Sequence, residues 1–262
     1  MGHLATPPAS QRRLSLRVAG RQSLSLPSLC YTAGLLLAIT VVFCHAQNPP
    51  GIPADFRLLY TQDFSSPDAN RDFIFTNPAV WSVTKEGGKS CLELKEQSKY
   101  EPPFPSPVNI ALLADKAFGD VIFEADCQQT SKEYGHRDMV FVYGYQSPTK
   151  FYYTHISTSA DDHAHNCFVV NDAPRTKFAR EVTKGVDWGR DAWHHVRIER
   201  KASDGTVRVF FDDMEKPIMT AQDKTFGPGA IGFGSFDDTG RVANFKVWGA
   251  AFETRKTEPF VK

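Results

Sequence analysis

Apolar and polar positions alternate along this chain in short runs, and no segment sustains a helical period. Runs rich in Val, Ile, Phe and Tyr, bounded by Gly, Pro, Asn and Asp, predict strands joined by turns. Asp120 to Gln129 alternates cleanly, with Val121, Phe123, Ala125 and Cys127 on one face and Ile122, Glu124, Asp126 and Gln128 on the other. Trp193 to Arg200 does the same, burying Val196 and Ile198 and turning His195, Arg197 and Glu199 outward. Further strands are predicted at Phe56 to Phe64, Asn109 to Leu113, Thr206 to Phe211, Ala230 to Phe236 and Val242 to Gly249. Glu86-Gly87-Gly88-Lys89 predicts a hairpin between Trp81–Val83 and Cys91–Leu94, and Asp204-Gly205 predicts a two-residue turn. The proline-rich stretch from Lys99 to Val108 is expected as a loop lying over the sheet. About a dozen short strands spaced roughly 8 to 12 residues apart indicate an all-β fold, a two-sheet antiparallel β-sandwich of jelly-roll type.

Asp138 to Asn171 concentrates the candidate chemistry. Three apolar-aromatic runs are separated by Gln146–Lys150 and Ser157–Asp162 and read as consecutive antiparallel strands. Alternation puts Phe151, Tyr153 and His155 on one face of the middle strand and Tyr152, Thr154 and Ile156 on the other. An aromatic face ending in a histidine, followed by His163-Ala164-His165-Asn166, suits a groove that grips hydroxyl groups.

The first 46 residues are predicted to be a signal peptide. Arg12, Arg13, Arg17 and Arg21 precede the apolar run Ala33–Phe43, and Cys44-His45-Ala46 favours cleavage after Ala46. A lipoprotein reading of Cys44 and a twin-arginine reading of Arg12-Arg13 leave the export route open, with a periplasmic, cell-surface or extracellular destination. Residues 47–53 read as a linker, 54–250 as the sandwich and 251–262 as a polar tail. No stable membrane span is expected after cleavage. The chain without residues 1–46 keeps 26 basic against 30 acidic residues, a net charge of −4. With no basic run, nucleic acid is excluded as the expected partner. Cys91, Cys127 and Cys167 remain, permitting at most one disulfide, and the positions of Cys127 and Cys167 inside strands favour small buried hydrophobes.

His155 is the expected general base and Tyr153 the proton donor or stacking platform if the groove is catalytic; both are equally ordinary as core residues. Arg137, Tyr143, His163, His165, Asn166, Arg175 and Lys177 are the expected substrate-binding residues, with arginine suited to hydroxyls or to a uronate carboxylate. His163 and His165 share a strand face, but zinc needs a third protein ligand and His155 is the only one nearby, so solvent-exposed or sugar-contacting histidines are the better reading.

Four segments together carry a family resemblance: FVYGYQSPTKFYYTHI, WHHVRIER with DGTVRVFFDD, GPGAIGFGSFDDTG, and the closing VANFKVWG. Over residues 54 to 249 the chain resembles the concanavalin A-like lectin/glucanase superfamily, near its laminin-G-like and 3-keto-disaccharide hydrolase-like (DUF1080-type) branches. The resemblance implies two curved sheets with a polysaccharide or oligosaccharide held on the concave face or at its rim. The retaining-glucanase signature E-x-D-x-x-E is incomplete, since Gln128 and Gln129 follow Glu124 and Asp126, which speaks against a two-carboxyl mechanism. Arg137, His155 and Tyr153 match jelly-roll alginate lyases in part, without their Gln-x-His strand. The resemblance also implies calcium, for which Asp63, Asp237 and Asp238 are candidates beside their ordinary role as turn residues. No cofactor is required. The expected function is exported carbohydrate binding; the alternatives are a glycoside hydrolase or polysaccharide lyase in the same groove, and a structural envelope protein.

Overall fold

A computed structural model describes residues 48–260, and the expected signal peptide lies outside them. Two antiparallel sheets pack face to face. The seven-stranded sheet runs in the order Thr176–Lys177, Asn166–Asn171, Lys150–Ser157, Asp138–Ser147, Ala230–Ser235, Asn109–Leu113, Phe73–Phe75. The second sheet runs Ala179–Val182, Met219–Gln222, Thr206–Phe211, Trp193–Lys201, Val121–Gln129, Gly240–Gly249, Lys89–Leu94, Trp81–Glu86, and Arg57–Gln62 pairs with Gly240–Gly249 as its ninth strand. The fold is therefore the two-sheet β-sandwich that the alternation predicts.

The core between the sheets is built from the predicted inward faces. Phe123, Ala125 and Cys127 meet Val196, Ile198, Val242, Phe245 and Val247 of their own sheet, and Phe141, Tyr143, Tyr152, Ile156 and Phe233 of the facing one. Among the described residues, Cys91, Cys127 and Cys167 are free and buried. Burial pushes the Cys91 and Cys167 thiols up to about 11, so they behave as small hydrophobes.

Gly87 and Gly88 both adopt positive φ, 55° and 85°, as a two-residue turn of the hairpin requires. The Asp204-Gly205 turn is wider than expected: Lys201 pairs with Thr206, so four residues make the loop, closed by Gly205 N–H to Lys201 O at 2.7 Å. Gly232 and Gly234 explain the G-x-G spacing of their strand. A Cβ on either would run into the backbone of Asn109–Leu113, into Ala111 O and Asn109 O respectively.

The far face of the seven-stranded sheet is covered too. Val140, Val142, Phe151, Tyr153, Phe168 and Val170 form a second apolar cluster, joined by Tyr100 and Phe104 of the proline-rich loop and by Phe260. Within the segment expected as a polar tail, the described residues 251–260 are held to the sandwich: Phe252–Thr254 pairs with Lys116–Phe118, and Phe260 is buried. At the other end, Asn48 donates to Pro53 O and Phe56 O, and Ile52 packs with Ile122 and Trp248. Residues Thr176–Val182 pair into both sheets in succession and close one flank of the sandwich.

Candidate functional site

Tyr153 and His155 share a face, as alternation requires, and that face looks away from the inter-sheet core. It is closed. Tyr153 is 0 % exposed and His155 4 %. Arg175 Nη1 donates to Tyr153 Oη at 2.8 Å and its Nη2 to His163 O at 3.1 Å, while the guanidinium lies over Phe168 and Phe236, 4.8 and 4.5 Å from the ring centroids. His155 stacks on Phe236 at 5.8 Å and sends its Nδ1 proton to His163 O at 3.2 Å. Its Nε2 lies 2.9 Å from Oδ2 of the buried Asp138. Burial raises the Tyr153 hydroxyl well above its usual value despite the Arg175 charge. The expected groove is therefore filled by the chain's own Arg175 and Phe236, and neither Tyr153 nor His155 meets solvent as a proton-transfer group.

The remaining expected residues separate. Tyr143 stands opposite Tyr152 and stacks on it at 5.6 Å inside the core, with Thr154 Oγ1 3.2 Å from its hydroxyl; alternation places it on the face away from Tyr153. His165 is buried: Nδ1 accepts Ser157 N–H at 3.3 Å, so Nε2 carries the proton and meets Thr183 Oγ1 at 2.9 Å. Burial and the neighbouring His155 lower its pKa to about 4, which keeps it neutral. Asn166 accepts from Ala179 N–H at 3.3 Å, and Lys177 pairs with Asp162 at 2.6 Å on the surface. The His163 side chain is exposed; its backbone carbonyl does the binding just described.

Arg137 is the expected residue that borders open space. It is pinned by Gln129 Oε1 and Gln129 O, both at 2.9 Å, and by Gly189 O at 2.6 Å. Two adjoining clefts share it and Glu133. One, of about 390 Å³, is lined by Tyr134, Gly135, Thr158, Ser159, Asp187 and Trp188; the other, of about 260 Å³, by Gln129–Lys132, Arg190 and Asp191. Tyr134 is 38 % exposed and hangs on the wall by its hydroxyl, which donates to Asp238 Oδ2 at 2.9 Å.

Behind that wall Asp138, Asp237 and Asp238 each place one oxygen within 4.8 Å of the others. Burial and the Asp138 charge raise Asp238 to about 6. Asp63, expected here, is not a member; its carboxylate is exposed and accepts from Ser65 N–H at 2.9 Å and Ser65 Oγ at 2.7 Å. Asp138 takes its place because Asp138–Ser147 is the strand next to Ala230–Ser235, which leads into Asp237-Asp238.

The second sheet's outer face carries a charge network that alternation indicated only in part. His195 Nδ1 lies 3.0 Å from Asp126 Oδ1 and its Nε2 3.6 Å from Glu124 Oε2. Lys89 and Asn244 reach Asp126 Oδ2 at 2.9 and 2.7 Å, and Arg197 pairs with Glu124. Hydrogen bonds to Asp126 and Glu124 raise His195 to about 9. Burial would raise both carboxyls, yet His195 and its cationic neighbours hold them below the usual carboxylate range. Glu124 and Asp126 are ionised and neutralised in place, so this pair supplies no proton donor near neutral pH.

No family model matches the chain, and no curated protein matches it, so the narrower 3-keto-disaccharide hydrolase-like resemblance has none behind it. Similar solved structures include a carbohydrate-binding module from Bacillus subtilis, at 13% identity over 68% of this chain and 96% of that one, with a TM-score of 0.49. A protein of unknown function with a galectin-like fold from the same species is 12% identical over 76% and 97%, with a TM-score of 0.48. Peanut lectin with a 9mer peptide is 12% identical over 76% and 99%, with a TM-score of 0.47. Likeness at this level carries no argument about ligand or activity. The two-sheet architecture described above is the one that the resemblance to the concanavalin A-like superfamily implies.

Proposed function

We propose that this chain is an exported glycan-binding protein whose ligand sits in the paired clefts at the end of the sandwich, around Arg137 and Tyr134. The observation that carries this reading is the pair of adjoining polar clefts, one with the half-open ring of Tyr134 in its wall and with Thr158, Ser159 and Asp187 around it. An aromatic face beside fixed donors and acceptors is what a sugar ring, apolar on its faces and hydroxylated at its rim, requires. The clefts lie on loops held by strands, and Arg137 is fixed by three bonds, so the polar groups are ordered before a ligand arrives. Export rests on the layout of residues 1–46. Among the described residues no helix is long and apolar enough to cross a membrane.

The test is calorimetric titration of the full chain with uronate oligomers, β-glucan oligomers and 3-keto-disaccharides, wild type beside Tyr134→Ala. Binding of one class, weakened about tenfold by the substitution, is the expected result. Failure to bind any of them, or equal binding by the variant, overturns it. New reducing ends or unsaturated products in the same tubes would move the reading to an enzyme.

A further inference from the structure

The geometry points to a second binding site, one that takes a small amphiphilic anion: an aromatic or short alkyl body with a single anionic head. It lies on the outer face of the nine-stranded sheet, at the opposite end of Val121–Gln129 from the clefts around Arg137, and does not depend on glycan binding there. The outward row of that strand reads Ile122, Glu124, Asp126, Gln128, so Ile122 is its one apolar position. On one side Ile122 stands opposite Trp248 and packs with Ile52 and Phe56 of the N-terminal arm. On the other side it stands opposite Glu199, and Glu199 stands opposite Arg208. A cavity of about 360 Å³ is left between the arm and this charged row. Pro53, Phe56 and Ile122 are on its apolar side, and Glu199, Lys201 and Arg208 on its charged side.

The arm is locked against the sheet, so the cavity is formed before a ligand arrives. Asn48 Nδ2 donates to Pro53 O and Phe56 O, both at 2.7 Å, and Arg197 Nη2 donates to Pro50 O at 3.4 Å. Gly51 passes over Arg197 with a φ of 82°, where a Cβ would run into Nη1 of that guanidinium. Charge selects the head. Glu199 is committed to Arg208 and, at 4.0 Å, to Arg197, which in turn holds Glu124. Lys201 is exposed and enters no ion pair among the described residues. The carboxylates of the adjoining turn are spent on its own groups, Asp120 on Ser203 N–H and Oγ–H and Asp204 on Thr206 N–H. The charged side of the cavity thus sets two cations against one carboxylate, which complements an anion. The clefts around Arg137 are walled mainly by polar groups and this cavity mainly by apolar ones, which suits hydrocarbon rather than hydroxyls. Ligand pockets span about 300 to 1,000 Å³, so this one, near the lower bound, takes a single small body.

The probe is anilinonaphthalenesulfonate, an aromatic body with one sulfonate, titrated into the full chain and read by its fluorescence. A saturable component that octanoate displaces and octyltrimethylammonium does not is expected. Lys201→Glu reverses an exposed charge of the lining and is expected to weaken that component about fivefold or more. Lys216→Glu, an equal change of net charge at an exposed lysine outside the lining, is expected to leave it unchanged. Thr206→Phe puts a ring into the lining and is expected to abolish the component while the melting temperature stays near that of wild type. Emission that never saturates, equal displacement by anion and cation, full binding by Thr206→Phe, or the same affinity in Lys201→Glu as in Lys216→Glu overturns the inference. Since no sugar is present and the clefts around Arg137 are untouched, failure here is distinct from failure of glycan binding.

Discussion

His195 gives the sharpest prediction. Its ring sits between Asp126 and Glu124, and its pKa rises from 6.5 to about 9. A folded-state pKa above the unfolded one means stabilisation that is complete below pH 6.5 and is lost as pH climbs through 9. The unscreened free energy is roughly 3 kcal/mol. The His195 side chain is 38 % exposed, so solvent screening reduces this to about 1 kcal/mol. His195→Gln keeps a polar side chain but cannot titrate, and Asp126 retains Lys89 and Asn244. Urea unfolding at pH 6, 8 and 10 in low salt should show wild type losing about 1 kcal/mol more than the variant between the extremes. Lysines, tyrosines and the thiols titrate in both proteins and cancel in the difference. Repeating the series in roughly 0.5 M salt should shrink that difference. Equal pH dependence in the two proteins would refute the reasoning, since the stabilisation would then not come from the protonated ring.

Arg175→Ala is expected to destabilise the protein by about 2 kcal/mol, by removing two hydrogen bonds and the guanidinium over Phe168 and Phe236. Tyr153 should then become reactive to tyrosine nitration, which peptide mapping reads, and Arg175→Lys should not restore protection because it lacks the planar fork. Gly234→Ala is expected to lower stability by more than about 3 kcal/mol in denaturant titration, since a Cβ there meets Asn109 O. Gly227→Ala, with open space around the added carbon, should stay within about 0.5 kcal/mol.

The long strands were legible because period-two alternation is a local property. Val121–Gln129 and Trp193–Lys201 carry enough residues to show it, and their inward faces are the ones observed. Phe73–Phe75, Thr176–Lys177, Ala179–Val182 and Met219–Gln222 are too short to display a period, and their pairing is set by neighbours far along the chain. The candidate groove shows the same division. Alternation correctly put Phe151, Tyr153 and His155 together, but it is silent on what lies over a face. Tyr100, Phe104, Arg175 and Phe260 arrive from separate segments, and only the tertiary arrangement reveals that they close it. Asp138 was visible as the start of a strand. Its approach to Asp237 and Asp238 depends on which strands are neighbours, and one sequence carries no signal for strand order.

The segment Thr176–Val182 has a consequence for how this molecule meets other copies of itself. An unpaired sheet edge offers a template for strand addition, and natural sandwiches guard such edges. Here a single short piece of chain hems both sheets on one flank, first against Asn166–Asn171 and then against Met219–Gln222. Its exposed Arg180 and Glu181 set charge along that border. Lifting the whole hem would bare both templates. Strand-by-strand growth is left to the other flank, where Phe73–Phe75, Trp81–Glu86 and Arg57–Gln62 end their sheets separately.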